Sequence, residues 1–110
     1  MSREIERYGV YFADLDPTRG GEMAKTRPVV VVSHDAMNRY LHTVVVCPLT
    51  TSLHPRWRSR IAIRCAGREA EIAVDQIRTI SKDRLGKRID RLDAAIAMQL
   101  RQLITEMYGE

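Results

Sequence analysis

The 110-residue sequence contains few cysteines, few aromatic side chains and no long apolar run. Its longest uninterrupted apolar run is far shorter than the roughly 20 residues that a membrane-spanning helix needs. The opening MSREIERYG is too charged for a signal peptide, so we expect a soluble, cytoplasmic protein. A chain of this length can bury one hydrophobic core but not two, so residues 1–110 are expected to form a single domain.

Cysteine and histidine are too scarce and too scattered to indicate a metal centre. Cys47 and Cys65 are expected to be reduced and structural, because two thiols in a chain without an export signal rarely pair. No closely spaced cysteine and histidine cluster of the zinc type occurs, so we expect no metal and no cofactor. His34, His42 and His54 lie in loops or at element ends, and no spacing singles out a catalytic pair. They are predicted to be surface residues.

Lysine is also scarce, because 15 of the 18 basic residues are arginine. The net charge is +4 and the pI is about 9.4. The planar guanidinium of arginine binds phosphate through two hydrogen bonds and stacks on bases, which lysine does less well. A polyanionic partner such as a nucleic acid fits this composition, but a moderately basic surface can also serve solubility alone. Charge by itself leaves both interpretations open.

Short runs of β-branched and aromatic residues, separated by turn-forming segments, predict a mainly β chain. The consecutive valines at 29–32 do not alternate with polar residues, so their strand is expected to be buried on both faces. Pro48 is expected to stop the third strand. The predicted strands span residues 8–15, 27–33, 42–50, 57–64 and 69–80, followed by a last short strand at 87–92.

Two of the predicted strands carry a pattern that bears on function. In the fourth, apolar residues alternate with Arg58 and Arg60, which predicts one apolar face and one basic face. In the fifth, the apolar phase slips after Val74, which predicts a bulge near Asp75 and Gln76.

Helical signals are short except at the end of the chain. A short helix is predicted over residues 33–41 with Ser33 as its cap, and a single helical turn follows Ser81 and stops at Gly86. From residue 90 onward the apolar period changes to that of an amphipathic helix, capped by Asp90 or Asp93. About five short strands closed by this helix predict a small, strongly curved, barrel-like sheet.

Polar residues at the second strand could carry chemistry. Gly20 and Gly21 allow a mobile loop around Glu22, whereas Arg27 sits at the start of the rigid strand that Pro28 opens. An arginine in a fixed position suits a site that neutralises charge building up on a phosphate. The alternative is that Arg27 forms a surface ion pair and that the glycines merely close a hairpin.

Two further segments offer candidates. Thr50 lies where the third strand emerges, and its hydroxyl could donate to a phosphoryl oxygen if that strand end lies beside Arg27. A threonine there is also common in ordinary turns. In VDQIR, Asp75 and Gln76 could orient other groups or contact a base, and Arg78 could add positive charge. Asp75 could instead pair with an arginine inside the sheet.

The segments GVYFADLDPTRGGEMAKTRPVVVVS, VVVCPLTTS and AVDQIRTISKDRL together resemble the MazF/PemK family of toxin endoribonucleases. Asp-x-x-Pro, Gly-x-Glu-x-x-x-x-Arg-Pro, Pro-x-Thr and Asp-Gln occur in that order, and the resemblance runs from Gly9 to the terminal helix. It implies a compact SH3-like β-barrel of the type shared with CcdB, assembled as a homodimer. It also implies cleavage of single-stranded RNA at short sequence motifs without a metal.

The resemblance places the family's conserved glutamate, arginine and threonine on Glu22, Arg27 and Thr50. It implies that the 2′-hydroxyl of the substrate attacks the adjacent phosphorus, with Glu22 as general base and the other two residues holding the phosphoryl oxygens. Residues expected to position the RNA are Lys25, Thr51, Ser52, Arg58, Arg60, Asp75, Gln76 and Arg78.

The chain departs from the family pattern at Gly21, Met23 and Ser52, where the family often has serine, glutamine and glutamine. These positions contact substrate, so the cleavage motif does not transfer. The resemblance also implies an acidic, partly disordered antitoxin as partner, with operator DNA bound only by the two proteins together.

Two rival interpretations remain. A gyrase-poisoning toxin of the CcdB type shares the fold and cuts nothing, but such toxins depend on a terminal Trp-Gly-Ile and this chain ends in EMYGE. A non-catalytic RNA-binding barrel would expose several aromatic side chains for stacking on bases. One tryptophan, one phenylalanine and four tyrosines leave few for that purpose.

Overall fold

The computed structural model describes residues 4–17 and 19–109. Within them, seven antiparallel strands form one sheet that is closed by a C-terminal helix, which confirms the predicted mainly β class. The strands are β1 (Gly9–Asp14), β2 (Thr26–Val31), β3 (Thr43–Thr50), β4 (Arg60–Cys65), β5 (Arg68–Ala73), β6 (Arg78–Ser81) and β7 (Leu85–Arg91). The helices are α1 (Asp35–Tyr40) and α2 (Ala94–Tyr108).

The sheet is strongly curved because β3 changes partner along its length. The strand order is β4-β5-β3-β2-β1-β7, and β6 pairs with β3 outside this path. Residues 43–46 of β3 pair with β6, whereas Leu49 and Thr50 pair with β5. The two halves of the sheet therefore diverge on one side of β3 and stay joined through β2 on the other.

The valines of β2 contribute to two separate cores. Val29 and Val31 lie in a cluster on the inner face of the sheet, together with Tyr11 of β1. Val30 lies on the opposite face, in a cluster that includes Leu100 of α2. Burying a valine side chain stabilises a fold by roughly 1.5–3 kcal/mol, so this strand contributes strongly from both faces. The prediction of burial on both faces is confirmed.

Several of the predicted strand boundaries are wrong, among them the start of the fourth strand, which lies at Arg60 rather than at residue 57. Pro48 does not stop the third strand, because it lies inside β3 opposite Val29. It falls where β3 changes partner from β6 to β5, so the missing N–H interrupts neither of those ladders. The predicted strand 69–80 is two strands, since a 3-10 turn at Val74–Gln76 replaces the predicted bulge.

The cap predicted for the first helix is also wrong. His34 caps α1, and its Nδ1 accepts a hydrogen bond from the backbone N–H of Ala36 at 3.1 Å. Ser33 is buried instead, where its hydroxyl donates to Asn38 Oδ1 at 2.5 Å and accepts from Val45 N at 3.1 Å. A buried hydroxyl needs such partners more than a solvated helix end does.

The later caps are mostly as predicted. Ser81 caps a 3-10 turn at Lys82–Arg84, but Gly86 lies in β7 and does not stop the turn. Asp93 caps α2 and accepts from Ile96 N at 2.9 Å, which decides between the two predicted aspartates.

Cys47 and Cys65 are free and buried, which confirms that they are unpaired. Burial raises the pKa of Cys47 to about 12 and that of Cys65 to about 11, with Asp75 and Asp90 adding to the respective shifts. Both thiols therefore stay protonated at neutral pH. Among the residues that the structure describes, neither helix has the length and hydropathy needed to cross a bilayer.

Candidate functional site

The register between β2 and β3 brings Arg27 and Thr50 together. The paired part of these two antiparallel strands ends with Val29 of β2 opposite Pro48 of β3, and Arg27 and Thr50 each lie two residues beyond it. Both residues line a cleft of about 540 Å³. Thr50 was a candidate only if the ends of β2 and β3 lie side by side, and in the structure they do.

Thr50 is held in a defined orientation. Its side chain is buried, with 8% exposed, and its Oγ1 accepts a hydrogen bond from Ser52 N at 3.0 Å. Because the hydroxyl oxygen is the acceptor there, its hydrogen is free to be donated to a bound group. Thr51 and Ser52 are exposed and line the same cleft. The strand end thus supplies several polar groups at one wall.

Arg27 is half-buried and already fixed at one nitrogen. Its Nε donates to Ala24 O at 3.1 Å, and Pro28 keeps the strand rigid on the other side. Among the residues that the structure describes, no carboxylate pairs with Arg27, so its positive charge is not neutralised within the chain. An oriented, uncompensated guanidinium suits phosphate binding. The surface ion pair considered as the alternative is not formed with any residue in the described ranges 4–17 and 19–109.

Glu22 lies outside this cleft. It is exposed, its Oε1 accepts from Arg19 N at 2.8 Å, and its own N–H donates to Arg19 O at 3.1 Å. The structure therefore does not bring Glu22 to Arg27 and Thr50, and its carboxylate closes a local turn of the β1–β2 loop instead.

Gln76 and Arg78 contact the β1–β2 loop. The side chain of Gln76 accepts from Met23 N at 3.2 Å and donates to Gly21 O at 3.4 Å. Arg78 donates to Leu15 O at 3.5 Å. These two predicted RNA-positioning residues therefore act on the loop, and sequence reasoning did not anticipate that role because they lie over fifty residues away along the chain.

Arg60 is not on an exposed basic face, which corrects the prediction for β4. Its side chain is only 6% exposed, and it bonds to Asp75 Oδ1 at 2.9 Å and to Glu71 Oε1 at 3.4 Å. Its guanidinium also lies 4.7 Å from the ring centre of Trp57, whose ring stacks on His54 at 3.9 Å. The alternation of apolar and basic residues correctly placed Arg60 on the face opposite the apolar one. It did not predict that the carboxylates of Glu71 and Asp75 cover Arg60 there. Asp75 pairs with an arginine, as the alternative had it.

The other predicted cations are exposed. Lys25 has a positive φ of 67°, and its backbone N–H donates to Asp16 Oδ1 at 3.0 Å. Arg58 is 89% exposed at its side chain and forms an ion pair with Glu106 at 2.9 Å. Surface pairs of this kind contribute little to stability.

The histidines do not line the cleft. His34 and His42 are exposed as predicted, whereas His54 is half-buried in its stack. Within residues 4–17 and 19–109, no group of three histidine, cysteine or carboxylate side chains is arranged as a metal site.

Two side chains that sequence reasoning missed line the cleft, Phe12 and Arg68. Phe12 alternates with buried residues in β1, and the sequence showed no reason for it to be exposed. Arg68 follows a two-residue turn in which Ala66 and Gly67 both have positive φ. The Ala-Gly pair between two β patterns was the available signal for that hairpin.

Comparison with known proteins identifies relatives. Residues 6–108 match the profile described as PemK-like, MazF-like toxin of type II toxin-antitoxin system. The chain is 36% identical over 94 residues to the endoribonuclease EndoA of Bacillus subtilis strain 168, covering 81% of each chain. It is 33% identical over 90 residues to the endoribonuclease MazF of Staphylococcus epidermidis, covering 77% of this chain and 75% of that one.

Solved structures share the fold. MazF of Deinococcus radiodurans superposes with a TM-score of 0.85 at 18% identity, covering 99% of this chain and 100% of that chain. An endoribonuclease from a mycobacterial species, solved in complex with its cognate antitoxin, has a TM-score of 0.78 at 24% identity, with 98% and 96% covered. The profile match and the sequence identities show that this chain belongs to the PemK-like, MazF-like family of type II toxin-antitoxin toxins.

Proposed function

We propose that this chain is a sequence-specific endoribonuclease toxin that cleaves single-stranded RNA and thereby inhibits translation and growth. The observation that carries the proposal is that Arg27 and Thr50, from the adjacent ends of β2 and β3, line one cleft. The curated relatives named endoribonucleases support the reaction class.

The proposed reaction is an internal transfer on the substrate. The 2′-hydroxyl loses its proton and its oxygen attacks the adjacent phosphorus, the bond from phosphorus to the 5′ oxygen breaks, and that oxygen takes a proton from solvent water. The products carry a 2′,3′-cyclic phosphate and a 5′-hydroxyl. Arg27 neutralises the charge that grows on the non-bridging oxygens, and the Thr50 hydroxyl donates to one of them. Arg27 is not assigned proton transfer, because a guanidinium releases its proton too poorly.

Glu22 is the proposed general base that takes the proton of the 2′-hydroxyl. This role requires the turn between Arg19 and Glu22 to open, since the carboxylate is occupied there by a backbone N–H. The two glycines at 20 and 21 make such a movement inexpensive for the backbone. The reaction needs no metal in this proposal, because the nucleophile is supplied by the substrate.

The RNA-positioning residues divide into two groups. Lys25, Thr51, Ser52 and Arg58 are exposed and are proposed to contact the RNA, with a salt-sensitive contribution to affinity. The others are proposed to act through the loops that they hold, namely Arg60, Asp75, Gln76 and Arg78.

The proposed assembly is a homodimer of single-domain chains acting in the cytoplasm. An acidic, partly disordered antitoxin is proposed to block the cleft and to form, with the toxin, the complex that binds operator DNA. A structural neighbour solved with its cognate antitoxin supports the first of these partnerships.

The test is cleavage of a long, lightly structured RNA by the purified protein in excess EDTA. We expect cuts at a short recurrent motif with 5′-hydroxyl ends, and a loss of rate of roughly a hundredfold or more in Arg27→Ala. Arg39→Ala is the matched control, because Arg39 is exposed on α1 outside the cleft. Cleavage that EDTA abolishes, or 5′-phosphate ends, would contradict the mechanism.

If the wild type cuts no RNA, the nuclease proposal fails and gyrase inhibition becomes the next assay. A gyrase poison keeps its effect in Arg27→Ala, whereas a nuclease loses cleavage while it remains folded. Circular dichroism of the variant separates loss of function from loss of structure.

A further inference from the structure

The cleft has two chemically different halves. Arg27 and the hydroxyl groups that begin at Thr50 form a polar half. The other half is apolar, with Phe12, Pro28 and Ile89 among its walls. A nucleotide has the same two parts, a charged phosphate and a flat, largely apolar base. The apolar half has no role in the proposed cleavage chemistry, so it calls for a different function.

Phe12 is exposed although the residue two positions before it in the same strand is buried. Val10 lies two residues before it on the same face of β1 and is completely buried in the cluster that includes Leu100 of α2. Phe12 is 42% exposed, although it sits within a strand paired on both sides. An exposed ring on a rigid strand costs little entropy when a base stacks on it.

The ring lies close to the proposed phosphate site. Phe12 pairs directly with Pro28, the residue after Arg27. Paired side chains in antiparallel strands have Cβ atoms about 5 Å apart, and consecutive Cα atoms are about 3.8 Å apart. Both residues also line the cleft, so the ring and the guanidinium can contact parts of one bound nucleotide.

Arg68 completes the apolar half with a charged group. It is exposed beside the turn at Ala66 and Gly67 and lines the same cleft. No carboxylate in the described part of the chain pairs with it. An arginine can donate two hydrogen bonds to the acceptor edge of a base, as it does to guanine.

We propose that the apolar half of the cleft binds the base of a nucleotide next to the cleaved bond, stacked on Phe12, with Arg68 donating to the edge of that base. The inference rests on the proposed function, since it takes the phosphate of the same nucleotide to lie at Arg27. It makes Phe12 a determinant of RNA affinity and Arg68 a determinant of base preference.

The stacking step is tested by binding rather than cleavage. A 2′-O-methyl oligoribonucleotide of mixed sequence cannot be cut by attack of a 2′-hydroxyl, and its affinity can be followed by fluorescence anisotropy. We expect Phe12→Leu to bind roughly tenfold more weakly, because it keeps apolar bulk but loses the π face. Phe12→Tyr keeps the ring and should bind like the wild type. Equal binding by Phe12→Leu and wild type overturns the proposal.

The base-edge step is tested by mapping cut sites in long RNA. Arg68→Ala and Arg68→Lys should both broaden the preference at one position of the motif, since lysine keeps the charge but not the paired donors. If Arg68→Lys retains the wild-type preference, Arg68 contributes only charge and the edge contact is wrong. Arg39→Ala should leave the motif unchanged.

Two further outcomes separate this inference from others. If the wild type cuts no RNA but Phe12→Leu weakens oligonucleotide binding, the proposed function fails and the base site stands. If Phe12→Asp converts a dimer to a monomer in sedimentation, a second copy of the chain covers the ring and the base site is overturned.

Discussion

Two loops flank β2 and β3 near the cleft, and they are held in place by different means. The β1–β2 loop, described at residues 15–17 and 19–25, is mostly exposed and is held by hydrogen bonds to backbone groups. The β3–β4 loop, residues 51–59, is tied down by Glu71, which accepts from His54 N at 2.9 Å and lies against the buried Arg60. The first loop can open at small energetic cost, whereas the second forms a fixed wall.

Both loops depend on one short 3-10 turn. Asp75 holds Arg60 at the base of the β3–β4 loop, and the next residue, Gln76, holds the β1–β2 loop at Gly21 and Met23. Neighbouring side chains of one turn thus hold two different loops. This explains why Asp-Gln accompanies the arginine and threonine signals in the sequence without itself lining the cleft.

The largest expected effect comes from removing one partner of the buried ion pair that holds the β3–β4 loop. Arg60→Met leaves the Glu71 carboxylate, 3% exposed, without its cation, and we expect a loss of about 3–5 kcal/mol in the free energy of unfolding. Urea unfolding followed by circular dichroism measures it. The double variant Arg60→Met with Glu71→Leu should recover much of the loss, because no buried charge remains. A loss below about 1 kcal/mol in the single variant would show that water reaches Glu71.

Releasing the β1–β2 loop should lower the free energy of unfolding by a smaller amount. Gln76→Ala removes two hydrogen bonds, so we expect a loss of about 1–2 kcal/mol and faster tryptic cleavage after Arg19 and Lys25. The fluorescence of Trp57, the single tryptophan, should stay unchanged because it reports on the other loop. A change in that emission would mean that the two loops are not independent.

A pair of glycine variants sharpens the account of the loop. Gly20 has a φ of +57°, whereas Gly21 has no positive φ, and neither has a heavy atom within 4 Å of an added Cβ. Gly20→Ala should destabilise by about 1 kcal/mol, since the left-handed conformation strains any residue with a Cβ. Gly21→Ala should be neutral or slightly stabilising. Equal thermal unfolding of the two variants would contradict the assigned conformation.

The smallest expected effect is a loss of stability at alkaline pH from the buried thiol of Cys47. Burial raises the pKa of Cys47 from an ordinary value near 9 to about 12. Stability from this thiol is therefore complete below about pH 9 and is lost as pH rises through the alkaline range, because the unfolded chain ionises first. We expect a fall of up to about 1 kcal/mol between about pH 8 and pH 10. Urea unfolding at several pH values measures this fall. The free energy of unfolding of Cys47→Ala should depend less on pH over the same range.

Much of the fold follows from local pattern. The β-branched runs located the strands, the doubly buried valine run was recognised, and one of the two predicted aspartates, Asp93, caps the terminal helix. The predicted boundaries are wrong where tertiary contacts decide the position of a residue. Pro48, for example, lies where β3 changes its pairing partner from β6 to β5. The cap prediction for Ser33 is wrong for a similar reason, since its hydroxyl makes hydrogen bonds inside the fold.

The candidate site could be predicted only in part. Arg27 and Thr50 come together because the adjacent antiparallel strands β2 and β3 end at the same cleft, a condition that the sequence left open. The burial of Arg60 was not foreseeable, because its partners Glu71 and Asp75 are identified only once β4 folds onto β5. Exposure of Phe12 was not foreseeable either, because Val10, two residues earlier in the same strand, is buried in the cluster that includes Leu100 of α2.

The sequence by itself determined the mainly β class, the terminal helix and the rigid arginine-bearing strand, because hydrophobic periodicity and backbone sterics act over a few residues. Tertiary structure alone decided which charges are compensated and which stay available. Arg60 and Arg27 look alike along the chain, yet one is neutralised by two carboxylates and the other by none in the described structure. Charge pairing depends on distance in space, which sequence spacing does not give.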